Sequence, residues 1–282
     1  MAQLFDREVR VNLGGTLVTS RVQNRKRPVL RVAFKIERSL QREPNTAEIQ
    51  VYNLRPELRQ KLQEEERIGV TLEAGYVEQF SEIFRGQVAS AKSKREGKDW
   101  ITTFQTSDSG AAFRASRVNK SLKGPVSVTA VIEAAADALG VDSGNFAEKL
   151  REGNVRGALR EFKGGAVLSG QAALEVDKLA KTLGFSWSIQ SGQLQFLAPG
   201  DVINPTAAVK LTAGTGLIGV PELGEKGNVI GRSLLQPELL PGKKIQIDSA
   251  TISDAFFRIS KVTIEGDTWT DTWYSSFEGT PA

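Results

Sequence analysis

The sequence predicts a mainly β protein, α+β overall, in which a small α+β module is inserted between two β regions. Three observations predict this fold class. The first hundred residues and the stretch from Pro205 onward consist of short segments in which apolar and polar residues alternate, as in antiparallel strands with one buried face. Between them, apolar residues recur at helical spacing in two segments, and a hairpin pattern follows. These changes divide the chain into regions 1–112, 113–199 and 200–282.

The first region is predicted to hold one helix and a series of strands. The helix spans 56–66, because proline is favoured at a first helical position and Leu58 and Leu62 recur at helical spacing. The polar segment 94–99 is predicted to be a turn. Strands of this length and spacing indicate an antiparallel barrel or sandwich. The predicted strands are 9–13, 16–22, 29–36, 47–52, 70–74, 83–91 and 100–106.

The middle region is predicted to contain two helices and a hairpin. The first helix spans 127–139 and ends at Gly140, and the second spans 169–183, with Ser169 as N-cap and Gly184 after its last turn. The segment 145–165 is charged and glycine-rich, so we expect it to be mobile or locally irregular. Apolar residues that share one face of the hairpin are Phe185, Trp187, Ile189, Leu194 and Phe196.

The last region again has strand patterns and is about as long as a small barrel needs. We predict strands at 208–211, 228–233, 243–248, 256–264 and 270–277. No internal repeat can be aligned by eye, although the two β regions could be distant copies.

Gly214, Gly216 and Gly219 match the G-x-G-x-x-G spacing of a dinucleotide-binding fingerprint. That fingerprint binds a pyrophosphate only where its third glycine opens a helix with free N–H groups. Pro221 and Gly224 follow immediately, and no apolar residues at helical spacing appear before Pro237. We therefore interpret the segment as a glycine-rich excursion between strands.

The composition excludes most enzyme chemistries. The 282 residues include no histidine and no cysteine, which removes disulfides, thiolate nucleophiles and every Ser-His or Cys-His arrangement. No Ser-x-x-Lys motif is present either. Enzyme chemistry would have to use carboxylates alone or carboxylate-bound hard cations. The net charge of +4, from 37 basic and 33 acidic residues, gives no argument for stable nucleic-acid binding.

No acidic residue is singled out by a motif. The pairs Asp248 with Asp254 and Glu265 with Asp267 lack the surroundings of a glycosidase site. Three further aspartates lie near glycines without forming a D-x-D-x-D-G calcium loop. We therefore predict no catalytic, cofactor or metal site. These three aspartates are Asp108, Asp142 and Asp201.

The first ten residues carry charges and lack the apolar core of a signal peptide. No window approaches the roughly 20 apolar residues of a membrane-spanning helix. We expect a soluble protein that is made in a cytoplasm and does not insert stably into a membrane.

Several segments, taken in order, resemble the baseplate hub proteins of contractile-tailed phages. None of them carries chemistry, and the resemblance rests on their order over nearly the whole chain. The segments are 45–54 (NTAEIQVYNL), 70–76 (VTLEAGY), 83–86 (IFRG), 98–101 (KDWI), 118–122 (VNKSL), 183–188 (LGFSWS), 192–194 (GQL), 215–222 (TGLIGVPE), 234–242 (LLQPELLPG) and 266–268 (GDT).

The resemblance implies a structural role in the virion tail. The resemblance implies a homotrimer in which each subunit contributes two tail-tube-like β-barrels, here 1–112 and 200–282. Three subunits then present a pseudo-sixfold face to the hexameric tail tube and a threefold seat to the central spike. The implied partners are tube or tube-initiator proteins, the spike, the tape measure protein and DNA in transit through the lumen. The implied location is the tail baseplate, assembled in the bacterial host cytoplasm.

Two alternatives stay open at this point: another tail-tip or injection-system adaptor, and a carboxylate-dependent wall hydrolase. Surface candidates are the basic segment 25–27, the acidic segment 64–66 and the tryptophans. Trp187 alternates with apolar neighbours and is predicted to lie in the core. Core and interface positions are equally open for Trp100, Trp269 and Trp273.

Overall fold

The computed structural model describes residues 7–19, 30–64, 68–76, 79–108, 113, 115–151, 160–190 and 192–282. The chain divides into two compact units. Unit 1 comprises 1–39, 46–107 and 202–282, and unit 2 comprises 40–45 and 108–201. The described residues are mainly in strands, which confirms the predicted β-rich class.

The helices and strands are numbered along the described chain. Residues 7–107 contain β1 (Arg7–Leu13), β2 (Thr16–Thr19), β3 (Val32–Ser39), β4 (Thr46–Tyr52), α1 (Pro56–Glu64), β5 (Gly69–Tyr76), β6 (Gln79–Glu96) and β7 (Asp99–Ser107). Residues 117–197 contain β8 (Arg117–Leu122), β9 (Val126–Ser127), α2 (Val128–Leu139), α3 (Phe146–Arg151), β10 (Glu161–Phe162), β11 (Ala166–Gln171), α4 (Ala172–Leu183), β12 (Ser186–Gln190) and β13 (Gln193–Leu197). The remainder contains β14 (Ile203–Leu211), β15 (Leu217–Leu223), β16 (Val229–Leu234), β17 (Lys243–Ile247), β18 (Ala255–Asp267) and β19 (Trp273–Pro281).

The strands of unit 1 form one sheet of 13 strands in the order β15-β16-β19-β18-β3-β4-β7-β6-β5-β1-β2, with β17 paired to β18 and β14 to β17. The β14–β17 pair is parallel and the other pairs are antiparallel. Strands β18 and β3, which belong to the two predicted β regions, are direct neighbours. No pairing among the described strands closes either region into a separate barrel, so the two predicted barrels are not confirmed.

The sheet of unit 1 contains an internal repeat that the sequence does not reveal. The order β3-β4-β7-β6-β5-β1 is matched, strand for strand, by β15-β16-β19-β18-β17-β14. Each half carries a β-bulge at the same place, between Val88 and Ser90 in β6 and between Ile259 and Lys261 in β18. The halves differ at the ends, because β1 is antiparallel to β5 whereas β14 is parallel to β17.

One hydrophobic core holds the sheet of unit 1. Alternate residues of β3, namely Val32, Phe34 and Ile36, are at most 5 % exposed, as the period of two requires for a strand with one buried face. Leu62 of α1 is buried in the same core, which also includes residues of β17, β18 and β19. Each such aliphatic side chain contributes about 1.5–3 kcal/mol on burial.

Unit 2 has its own core, and its two longer helices and its hairpin lie within the segments predicted for them. Helix α2 begins after Ser127, whose Oγ accepts a hydrogen bond from the N–H of Ala130, and ends at Gly140 in the left-handed conformation. In the hairpin, Trp187 lies opposite Phe196 and Ile189 opposite Leu194. All four of these hairpin side chains are buried.

One prediction in unit 2 is wrong and another is wrong in part. Helix α4 begins at Ala172, and Ser169 is not its N-cap, because Ser169 pairs with Asn119 in the β8–β11 ladder and its backbone is extended there. The segment predicted to be irregular contains α3 and β10. Helix α3 forms because Phe146 is fully buried against Phe185 and Phe196, and residues 152–159 lie outside the described residues.

Two strands of unit 1 differ from the sequence predictions. Strand β6 continues to Glu96, so the predicted turn at 94–99 shrinks to two residues, because the β6–β7 ladder runs through Glu96 opposite Asp99. The glycine-rich excursion is in fact largely strand β15, paired with β16. Glycine and proline in this strand hid its alternating pattern.

Candidate assembly surface

Three of the four carboxylates weighed as pairs from the sequence contact neighbouring side chains. Asp267 accepts two hydrogen bonds from Arg31, at 3.1 Å from Nε and 2.6 Å from Nη2. Glu265 lies 3.9 Å from Lys35 on the solvent side of the sheet. Asp254 accepts a hydrogen bond from Gln246 at 2.5 Å. These carboxylates therefore take part in structural contacts.

The three aspartates considered for calcium lie apart in unit 2. Asp108 accepts a hydrogen bond from Asn45 Nδ2 at 2.7 Å. Asp201 pairs with the buried Lys149 at 2.8 Å, and Asp142 forms a backbone bridge with Gln193. Within the described ranges, no group of three or more potential ligands could hold a metal ion. No helix of those ranges is both long and apolar enough to span a bilayer.

The four tryptophans differ in their exposure to solvent. Trp187 is buried, which confirms its core position, and Trp273 is fully buried as well. Trp100 is 39 % exposed, with the Arg59 guanidinium 4.1 Å from its ring centre. Trp269 is 71 % exposed, and tryptophan is among the residues enriched at interfaces.

Trp269 sits on a turn between β18 and β19 that is fixed from several sides. The backbone N–H of Trp269 donates a hydrogen bond to Asp267 Oδ1 at 2.9 Å. The neighbouring Thr268 exchanges hydrogen bonds with Val32, and Arg7 Nη1 donates to Thr270 O at 2.5 Å. A side chain on a backbone held this way loses less conformational entropy when it binds a partner.

The outer face of the central sheet is polar and carries both signs of charge. Across neighbouring strands, Glu265 faces Lys35, Lys35 faces Glu48, and Glu48 faces Gln105. Lys35 lies 3.2 Å from Glu37, and this hydrogen-bonded contact raises the pKa of Lys35 above its ordinary value. About half of each of the Lys35 and Glu37 side chains is exposed, so this part of the face is hydrated and its ion pairs contribute little free energy to stability.

The sheet ends at β15 in an edge with exposed apolar side chains. Ile218 is 37 %, Val220 56 % and Leu223 55 % exposed, and Ile230 on the neighbouring β16 is 53 % exposed. On its outer side, β15 pairs with no other described strand. At its start, the Leu217 N–H donates to Thr212 O at 2.9 Å, and the bulged Pro221 O accepts a hydrogen bond from Thr251 at 3.5 Å. An exposed strand edge with apolar side chains is a favourable place for another chain to pair.

A second free edge lies in the middle of the sheet. Strand β5 covers β6 only as far as Gln87, so the part of β6 from Ser90 to Glu96 has β7 as its one partner among the described strands. A groove of about 490 Å³ runs along this edge. The residues lining it are Gln63, Ala91, Lys92, Ser93, Lys94 and Thr103.

The charged candidates from the sequence fall mostly outside the described part of the chain. Residues 25–27 lie outside it, as do 65 and 66. Glu64 is described; it is exposed and accepts a hydrogen bond from Gln60 at 2.8 Å.

A polar sheet face, two open strand edges and a fixed tryptophan are features of a protein that assembles with other proteins. The chain belongs to the Baseplate hub gp41 family, whose model matches residues 11–255. The baseplate-hub resemblance is therefore confirmed. Membership of this phage tail family points to a structural role in the virion tail rather than to an enzyme.

Solved structures of tail proteins share the fold over nearly the whole chain. The 43 kDa tail protein of prophage MuSo2 from Shewanella oneidensis is 10 % identical, with a TM-score of 0.63 and 98 % of each chain covered. The tail protein from Neisseria meningitidis MC58 is 9 % identical, with a TM-score of 0.64 over 98 % of this chain and 96 % of its own.

A secretion-system protein has the same fold. The E. coli c3393 protein, described as a component of the type VI secretion system with structural similarity to the T4 tail proteins gp27 and gp5, is 11 % identical, with a TM-score of 0.56 over 96 % of this chain and 76 % of its own. At these identities the likeness shows the fold alone. No curated protein matches the sequence.

Sequence reasoning missed both strand edges. The signal for β15 was the apolar pattern Leu217, Ile218 and Val220, which the surrounding glycines and Pro221 interrupted. The signal for the free part of β6 was the alternation of small residues and lysines at 91–94, which is typical of an exposed strand as much as of a turn.

Proposed function

We propose that this chain is the hub subunit of a contractile phage tail. In this proposal, residues 1–112 and 200–282 act as two tube-like β domains, and 113–199 as the module inserted between them. Three copies form a ring that presents a pseudo-sixfold face to the hexameric tail tube, or to tube-initiator proteins, and a threefold seat to the central spike.

One observation supports the proposal most strongly, namely the repeat within the sheet of unit 1. Two halves with the same strand order and matching bulges give each chain two similar units. Three copies contain six such units, which is the number needed to match a sixfold partner with a threefold ring.

The outer face of the central sheet suits the wall of a channel. The contacts among Lys35, Glu37 and Glu48, with Gln105 donating to Glu48 at 2.5 Å, leave no surplus of positive charge in this region. DNA or a tape measure protein would pass such a hydrated surface without stable binding, because strong DNA binding requires clustered cations.

The Trp269 turn is the proposed contact with an axial partner. It lies at the end of the sheet where β18 ends and β19 begins. A fixed, exposed indole fits a pocket in a protein surface, so we expect it to contact the tube or the spike. Assembly would take place in the bacterial host cytoplasm, before the baseplate becomes part of the virion.

Light scattering of the purified chain, alone and mixed with the cognate spike and tube proteins, tests the proposal. We expect a trimer of 30.7 kDa chains, formed either alone or on addition of the spike. A stable monomer that binds neither the tube nor the spike would overturn the hub proposal.

A further inference from the structure

We propose that β15 of one copy pairs antiparallel with the free edge of β6, residues 90–96, in the neighbouring copy, in a defined register. This inference rests on the proposed trimer and specifies the contact that closes it.

The template for this contact is a junction inside the chain. Strand β18 pairs with β19 on one side, and beyond its bulge it pairs with β3 on the other. In that junction Ile264 lies opposite Ile36, Glu265 opposite Lys35 and Asp267 opposite Ala33. The junction joins the second half of the repeat to the first half.

The repeat places the free part of β6 in the position that corresponds to this part of β18. Strand β6 pairs with β7 just as β18 pairs with β19, and counting from the two bulges aligns Ser93 with Ile264, Lys94 with Glu265 and Glu96 with Asp267. In β18 these residues have β3 on their second side. In β6 the second side pairs with no strand in the described part of the same chain.

The same alignment places β15 in the position of β3. Glu222 lies opposite Ile230 in β16, as Lys35 lies opposite Glu48 in β4. Leu223 then corresponds to Ile36. On the other side of the β15 bulge, Ile218 lies opposite Arg232 and corresponds to Ala33.

Transferring the register of the internal junction gives three intermolecular pairs. Glu222 of one copy lies opposite Lys94 of the next, Leu223 opposite Ser93, and Ile218 opposite Glu96. The internal junction sets Glu265 of β18 against Lys35 of β3. The intermolecular pair has the same two charges, but the lysine is on β6 and the glutamate on β15. Opposite charges across an antiparallel pair favour this register, and a slip of one residue would lose it.

The surfaces on both sides fit such a contact. Leu223 is 55 % exposed in the single chain, and its counterpart Ile36 is fully buried at the internal junction. In the proposed pair, Leu223 enters the groove beside Ala91, Ser93 and Gln63. Lys94, which pairs with Glu96 in the single chain, turns to Glu222.

Each copy offers one β15 edge and one β6 edge, so the contact is head-to-tail and repeats around a ring. Internal and intermolecular junctions then alternate. A trimer then has three internal and three intermolecular junctions, all with the same strand pairing. The polar rows of the outer face continue from copy to copy.

Cysteine cross-linking tests the register. Because the chain contains no cysteine, the introduced thiols are the only ones that can form a disulfide. The double variant S93C/L223C places thiols at opposed positions, with Cα atoms about 4.5–5.5 Å apart, within disulfide reach. We expect covalent dimer and trimer, and nothing larger, on a non-reducing gel after mild oxidation. In the control S93C/I230C, the second cysteine lies one strand further from the edge and should not cross-link.

A charge exchange gives an independent test that does not depend on thiol chemistry. K94E and E222K alone oppose like charges and should each raise the dissociation concentration of the trimer by about threefold to tenfold, while K94E/E222K should restore it. K163E and E148K, on the exposed surface of unit 2, are matched controls and should leave the dissociation concentration unchanged.

The outcomes separate this inference from the hub proposal. If light scattering finds a trimer but S93C/L223C does not cross-link, or cross-links no better than its control, the pairing is wrong and the hub proposal stands. If the wild-type chain stays monomeric and binds neither tube nor spike, both are wrong. Additive rather than compensating effects of K94E and E222K would also overturn the pairing.

Discussion

The bidentate contact between Arg31 and Asp267 fixes the end of the sheet that carries Trp269. The Arg31 guanidinium also lies 4.4 Å from the Tyr52 ring centre, and the Asp267 side chain is 10 % exposed. Replacing Asp267 with alanine leaves Arg31 without its carboxylate partner. The backbone N–H of Trp269 also loses its hydrogen-bond acceptor. We expect a loss of about 2–4 kcal/mol in the free energy of unfolding, measured with urea. A loss below about 0.5 kcal/mol, the range typical of neutral surface changes, would contradict the structural role of the pair.

The same pair predicts how stability depends on pH. Burial raises the pKa of Asp267, but hydrogen bonds from Arg31 and the Trp269 N–H outweigh it and hold the pKa below the ordinary 3.8. A carboxyl group with a lowered folded-state pKa contributes stability that is fully present above its unfolded pKa and is lost as the pH falls through the folded value. Urea titrations should therefore show that D267N loses less stability than the wild type as the pH falls below 3.8. Parallel acid curves for the two proteins would contradict this assignment.

Substitutions of Trp269 and Trp273, at the two ends of the same turn, should have different effects on stability. Trp273 is fully buried and packs edge-on against Phe34 at 5.7 Å between ring centres, so W273A should cost about 3–5 kcal/mol. Trp269 is largely exposed, so W269A should change the free energy of unfolding by less than about 0.5 kcal/mol and instead weaken binding of the tube or spike. Thermal unfolding and a pull-down with each partner separate the two effects. Equal destabilisation by the two substitutions would refute the surface position of Trp269.

At the level of elements, helix caps were predictable where the signal was local. Gly140 ends α2 as predicted, and Ser127 caps the other end, because its side chain accepts the N–H of Ala130 at 3.1 Å. Ser169 has the same residue type before a helical pattern, yet β8 holds it in a strand. S127A should therefore cost about 1 kcal/mol and S169A less than about 0.5 kcal/mol, both measured by chemical denaturation. A larger loss of stability for S169A than for S127A would contradict the assignment of Ser127 as the cap.

Strand pairing was the part of the fold that the sequence could not predict. Alternation identified β3, β4 and β5 because one face of each is buried in the core. The end of β6 and most of β15 have exposed apolar, charged or glycine positions, so their patterns lack the regular buried face of the other strands. Neither is paired on its second side with another described strand, and the same exposure that hid them from the sequence suits them to the proposed pairing between copies.

At the level of the whole molecule, two β regions were predicted but their union in one sheet was not. That union depends on β18 and β3, whose paired residues Glu265 and Lys35 are far apart in the sequence. No local propensity encodes such a contact. The repeat became visible only through the order of strands and the position of the two bulges, because the corresponding residues differ in type.

The candidate site was predictable in outline only. Composition without histidine and cysteine pointed away from enzyme chemistry, and the order of segments pointed to the hub family that the family model confirms. The particular edges, groove and tryptophan of the candidate assembly surface depend on which residues the fold leaves exposed. Those positions follow from tertiary packing.

The most direct test of this account is the native mass of the chain, measured by light scattering alone and in the presence of its cognate spike and tube proteins. We predict three 30.7 kDa chains in one particle, with threefold symmetry in electron micrographs and binding to both partners. A monomer that binds neither partner would contradict the account.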